Sequence, residues 1–207
     1  MKFRYIIIIL ALFSGTLSSL AQQNQKTKTS KFVYATHFGF STGIGTLAFD
    51  ERHWDNSLNL FKIQQFLAYQ FNNYITFGIS GGIDIWKKTA FIPLSLSLNV
   101  NFIDRKLVPF WFLNTGYSFK WYGSQRPDAM QRVIYGSTAG LYGETGIGMK
   151  INMNEKIAFL ISANYTVQQS SIKYSREGTE GSFSLLYTNS QQRMLYHFLG
   201  LKLGILY

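Results

Sequence analysis

"AFIPLSLSLNVNF", residues 90–102, separates into two kinds of residue when every second position is read. Ile92, Leu94, Leu96, Leu98, Val100 and Phe102 form one row, and Ser95, Ser97, Asn99 and Asn101 lie on the other. A strand sends alternate side chains to opposite faces. One face of this strand is therefore wholly apolar and the other small and polar. Two settings ask for such a strand: a soluble sandwich with one face buried, or a membrane barrel with lipid on one face.

The alternation recurs along the chain. Phe32, Tyr34, Phe38, Phe40 and Ile44 oppose Ala35, His37, Gly39, Ser41 and Gly43. Phe61, Ile63, Gln65, Leu67, Tyr69 and Phe71 oppose Lys62, Gln64, Phe66, Ala68 and Gln70. Ile75, Phe77, Ile79, Ile83 and Ile85 oppose Thr76, Gly78, Ser80 and Asp84. Trp111, Leu113, Tyr117, Phe119 and Trp121 oppose Phe112, Asn114, Ser118 and Lys120. Leu141, Ile147, Met149 and Ile151 oppose Tyr142, Glu144, Gly146 and Lys150. Ile157, Phe159, Ile161, Tyr165 and Val167 oppose Leu160, Ser162, Asn164 and Thr166. The last segment, from about Met194, carries Leu199, Leu201, Leu203, Ile205 and Tyr207 against Phe198, Gly200, Lys202 and Gly204. With 90–102, this makes eight segments.

Charge placement decides between the two settings. Lys62, Asp84, Lys120, Glu144, Lys150 and Lys202 all stand on the polar row, and no charge stands on the apolar one. Sandwich strands are typically about five or six residues long, and these segments are about twice that. The polar row is also rich in glycine, which suits a narrow lumen and has no use on a solvated face. The reading is all-β: an eight-stranded antiparallel up-and-down transmembrane barrel over residues 32–207, with the six charges forming a lumen cluster.

Composition agrees. Of 207 residues, 17% are aromatic and only 14% charged, against about 25% charged in ordinary soluble domains. There is no cysteine, which excludes disulfides and thiolate metal sites. Lys2 and Arg4 precede a short apolar core, and Ser19-Leu20-Ala21 fits a cleavage site. Residues 1–21 are expected to be a cleaved signal peptide and 22–31 a flexible lead-in. Removing Lys2 and Arg4 leaves eighteen basic residues against ten acidic, a net charge of +8. In an exported chain this excess points to loops beside anionic lipid headgroups rather than to nucleic acid.

Short links at 72–73, 103–106 and 152–155 alternate with links that are mostly longer, including 46–57, 122–138 and 169–193. Short periplasmic turns and longer outer loops would place both termini in the periplasm. Aromatics near segment ends (Phe32, Tyr34, Tyr69, Phe71, Phe102, Trp111 and Tyr207 below; Phe61, Phe119, Trp121 and Tyr165 above) are expected interfacial girdles.

On these rows the chain resembles the small outer-membrane β-barrels of the OmpA-transmembrane-domain and OmpX kind, over about residues 32–207. The final row, Leu199, Leu201, Leu203, Ile205 and Tyr207, is similar to that family's C-terminal signal for the outer-membrane assembly machinery. The resemblance implies a cell outer membrane location with lipid and lipopolysaccharide around the wall. It also implies structural, adhesive or secretion-accessory roles. Some relatives of this size modify lipid A, so a deacylase or acyltransferase is the alternative. His197-Phe198-Leu199-Gly200 does not match the deacylase pattern His-x-Ser-Asn; His53, Asp55 and Ser124 are a conceivable but unspecific set for acyl transfer. His53 among Asp50, Glu51 and Asp55 also reads as a hydrated loop, and no catalytic, cofactor or metal residue is assigned. Residues 174–193 are either a partner-contact segment or an outward extension of the hairpin.

The row pattern also sets one register. Outward residues are odd-numbered on both sides of Asn72-Asn73-Tyr74, so a three-residue turn places Phe71 opposite Ile75. Lys62 then falls opposite Asp84 inside the lumen, and an ion pair between the two is expected to plug it.

Overall fold

Asn72, Asn73 and Tyr74 reverse the chain as that parity demands. The Asn72 side chain accepts from the backbone N–H of Tyr74 at 2.9 Å and of Ile75 at 2.8 Å, and the Phe71 N–H donates to the Ile75 carbonyl at 3.0 Å. An asparagine that bonds the backbone just ahead of it favours a tight turn locally, and Asn101 adds bonds to the Tyr74 and Asn73 carbonyls at 2.7 and 2.9 Å.

The computed structural model describes residues 31–49, 52–56, 58–86, 89–123, 134–138, 140–154, 157–177 and 187–207. The expected signal sequence and nearly all of the lead-in lie outside them. The strands are β1 (Phe32–Ile44), β2 (Thr46–Phe49), β3 (Arg52–Asp55), β4 (Asn59–Gln70), β5 (Ile75–Trp86), β6 (Thr89–Asn101), β7 (Leu107–Gly123), β8 (Ile134–Thr138), β9 (Gly140–Asn152), β10 (Ala158–Glu177) and β11 (Tyr187–Leu206). β1, β4, β5, β6, β7, β9, β10 and β11 pair in that order, each antiparallel to the next, and β11 pairs back onto β1. The wall is a closed eight-stranded up-and-down barrel, as the rows predict.

Its stagger can be read from the pairing. Phe32 pairs with Tyr69, then the row runs through Phe77, Leu98, Leu113, Thr145, Tyr165 and Leu199 and returns to β1 at Thr42. One circuit therefore climbs ten residues. With standard strand rise and spacing, that stagger corresponds to a strand tilt of about 40°. Phe32 and Tyr207 both stand at the short-turn end, where Tyr34 and Tyr207 exchange backbone hydrogen bonds of 3.0 and 2.8 Å.

Burial is inverted relative to a soluble protein. Leu199, Leu201 and Leu203 are 53, 65 and 59% exposed, while Lys202 between them is 3% exposed. A wall apolar all round its exterior is stable against lipid, not water. At the short-turn end the outward aromatics meet: Phe32 with Tyr69, Tyr69 with Phe71, and Tyr34 with Tyr207, at 5.5, 5.2 and 5.0 Å between ring centroids.

At the opposite end the structure departs from the sequence reading. β10 was expected to end near Val167 and β11 to begin near Met194. Their ladder instead runs on to the Glu177–Tyr187 pair, so much of 174–193 is an outward extension of the hairpin. β8, inside a stretch expected to be loop, adds to the far edge of β10 through Ser171–Thr138 to Tyr174–Ile134. β2 and β3 form a small hairpin within 46–57, reached through Gly45 at φ 76°, a left-handed bend that suits glycine. Strands that leave the membrane become polar on both faces, and their alternation disappears from the sequence.

Candidate functional site

The lumen is the one place where the rows bring charge together. Lys62 and Asp84 are cross-strand partners on β4 and β5, as the turn parity requires. Both are buried. The expected ion pair between them is not formed, however. The Lys62 ammonium donates to Glu144 Oε1 at 2.8 Å, and neither carboxylate oxygen of Asp84 has a hydrogen-bond partner among the described residues. β4 and β9 are four strands apart in a ring of eight, so Lys62 reaches straight across the barrel. In a lumen this narrow, opposite walls are within reach of a lysine stem.

Glu144 is the hub. Its Oε2 accepts from Lys202 at 2.9 Å and from Asn114 at 2.9 Å, and its Oε1 accepts from Asn164 at 3.0 Å and Thr166 at 3.3 Å. The two lysines have further support. Lys62 donates to Thr166 Oγ1 at 2.6 Å, and Lys202 lies 4.2 Å from the centre of the Phe112 ring. Gln64 and Lys62 both donate to the Tyr142 hydroxyl, at 2.9 and 3.4 Å. Ser97 donates to Asn114 Oδ1, holding that amide in place. Buried ions are tolerated when they are paired and their remaining valences hydrogen-bonded. Lys62 meets both conditions with three acceptors, while Lys202 donates to Glu144 and, at 3.5 Å, to Gln64 Oε1.

Gly39 makes the triad possible. It pairs with Lys62 on one side and Lys202 on the other, and a Cβ built there would lie 2.9 Å from Lys202 Cγ and 3.4 Å from Lys62 Cβ. The missing side chain is the space through which both stems pass.

An aromatic layer lies inside the barrel above the triad, toward the long-strand end. Trp86 stacks on Phe198 at 5.1 Å and meets Phe91 edge-on at 4.7 Å and Tyr196 at 4.9 Å, with Leu60 beside them. Below the triad, a cavity of about 90 Å³ extends to the short-turn end. Lys202, Gln64 and Asn114 form its roof, Phe66, Phe110 and Phe112 line its side, and Val33, Gln70, Asn101 and Leu206 stand at its foot.

Of the six charges expected to cluster, four are buried near one another: Lys62, Asp84, Glu144 and Lys202. Two are basic and two acidic, so the excess of lysine expected from the rows does not reach the buried core. Lys120 and Lys150 are only half-buried and stand outside the triad; Lys150 lines the lower cavity. His37 also lines that cavity, and its Nε2 is sequestered without a partner. His197 lies on the outward row, its Nδ1 2.6 Å from the Tyr165 hydroxyl. Asp55 is exposed at the end of β3, while Ser124 and the His53 side chain lie outside the described residues. The sequence by itself gives Asn114, Asn164, Thr166, Gln64 and Trp86 no role at this site. Their position on inward rows was the available signal, but which inward residues meet depends on the circuit of registers.

No protein-family model and no curated protein matches the sequence. Among solved structures, the chain is similar to the outer membrane protein OprG from Pseudomonas aeruginosa. The TM-score is 0.55 at 9% identity, covering 84% of this chain and 96% of that one. Neisserial surface protein A (10% identity, 84% and 96% covered) and AlkL in DMPC bilayers (11% identity, 90% and 96% covered) each align with a TM-score of 0.49. The fold class is that of the small eight-stranded outer-membrane barrels.

Proposed function

We propose that this chain is an integral protein of the cell outer membrane, both termini periplasmic, whose barrel is a closed anchor rather than a diffusion pore. Its role is non-enzymatic: to carry the β8–β10–β11 extension and the β2–β3 hairpin above the membrane as a contact surface for a surface or secretion partner. The observation that carries this reading is the Lys62–Glu144–Lys202 triad under the Trp86–Phe198 layer, because a lumen filled by its own side chains leaves no continuous water path. The OprG-like fold supports the location, and the basic balance of the chain suits a surface set among anionic lipopolysaccharide headgroups. The row ending at Tyr207 is the proposed address for the assembly machinery.

Two measurements test the reading. In planar bilayers the purified protein is expected to give no steady ionic current; large, stable conductance steps would overturn the closed anchor. The lipid A mass profile of cells is expected to be the same with and without the protein. Loss or gain of one acyl chain would instead establish the lipid A-modifying alternative.

A further inference from the structure

The cavity below the triad is lined on a single electrostatic theme. Among the described residues its ionisable walls are Lys202, Lys150 and His37, and no carboxylate lines it. The triad that roofs it holds two ammonium groups on one carboxylate. Asp84, the other buried carboxylate, stands on the far side of Lys62 beside Phe91 and does not line the cavity. Asp104, on the β6–β7 turn, acts electrostatically on Lys150 but does not line the cavity either; Asn73 engages it at 2.6 Å.

One donor inside is idle. His37 Nε2 is cut off from solvent and has no hydrogen-bond partner among the described residues. An orphaned polar nitrogen at a cavity wall is a position that a ligand or an ordered water satisfies. In its Nε2–H tautomer the ring donates, which suits an anion. Phe66, Phe110, Phe112 and Leu160 supply hydrocarbon to the same lining, among neutral polar side chains such as Thr76, Ser80, Ser97 and Asn99. No arginine lines the cavity, so the planar fork that favours phosphate is missing. Positive groups and rings in one lining suit a ligand with an anionic head and a short apolar body.

We propose that the lower lumen is a binding site for a small aliphatic carboxylate, its head toward Lys202 and His37, its tail against the phenylalanines and Lys150 guarding the foot. The site ends blind at the triad, so binding there is not transport and holds whether or not the barrel contacts a surface partner.

The test uses the full mature chain refolded in detergent micelles, titrated with butyrate at constant ionic strength and followed by calorimetry and by the NMR shifts of the Phe110 and Phe112 rings. Butyrate is expected to bind saturably, with chloride, inorganic phosphate and butylammonium at least tenfold weaker. Lys150→Met and His37→Gln, both confirmed as folded by their gel mobility before and after heating, are expected to weaken butyrate at least fivefold each. Equal response to butyrate and butylammonium would overturn the proposal. So would butyrate affinity unchanged in both variants, or chloride and phosphate binding as tightly as butyrate.

Discussion

Lys62 stands directly across the β4–β5 hairpin from Asp84, yet its ammonium lies 2.8 Å from Glu144 on the opposite wall. Cross-strand register brings two Cβ atoms together, but a lysine places its charge several bonds away, wherever the best set of acceptors lies. Glu144 offers that set. Asp84 is left buried with both oxygens unpaired, an arrangement that costs free energy rather than supplying it.

The two carboxylates should therefore respond oppositely to neutralisation. Glu144→Gln strands two buried ammonium groups against an amide and is expected to cost about 3–5 kcal/mol. Asp84→Asn removes an unpaired charge and is expected to cost under about 1 kcal/mol or to stabilise. Urea unfolding in micelles, followed by tryptophan fluorescence, reads both. A larger loss for Asp84→Asn than for Glu144→Gln would place the structural ion pair where the hairpin register alone suggested it.

Gly39 is expected to be intolerant for a steric reason. Gly39→Val pushes branched methyls into the space occupied by the Lys62 and Lys202 stems. Overpacking of this kind costs about 1–3 kcal/mol. Pairing it with Lys202→Ala should recover part of the loss at the wall while sacrificing the ion pair. A double variant no better than the sum of the singles would show that the clash lies elsewhere.

Trp86→Ala removes the centre of the aromatic layer and is expected to destabilise by about 3–5 kcal/mol. On the proposed closed-anchor reading the barrel should nevertheless remain without steady current, with the triad as a second barrier below. Conductance appearing in Trp86→Ala would identify the aromatic layer as the only seal.

Tyr207 is held by its ring contact with Tyr34 and by its hydroxyl, 3.0 Å from Thr36 Oγ1. Its removal should cost only about 1–2 kcal/mol of barrel stability in micelles. If the final row is the assembly address, deletion lowers the folded fraction in cells far more than it lowers refolding yield from urea. Equal, modest effects in both settings would assign Tyr207 to the seam alone.

How much of this was legible follows from what period-two patterning encodes. Alternating rows report which face of each segment meets lipid, and the parity of a turn reports which residues pair across it. The eight strands, the inward position of Lys62, Asp84, Glu144 and Lys202, and the Lys62–Asp84 register therefore follow from the sequence alone, since each depends only on neighbouring strands. The same pattern falls silent where β10, β11 and β8 rise beyond the lipid, because a strand with water on both faces needs no apolar row. It is silent also on the partner of Lys62. That choice depends on a ten-residue stagger accumulated over eight registers, which brings β9 to face β4 and sets Glu144 level with two lysines. Local chemistry determined the wall and its two faces. Closure of the wall into a narrow ring decided which buried charges meet, because across such a lumen the nearest partner is set by circumference and tilt, not by distance along the chain.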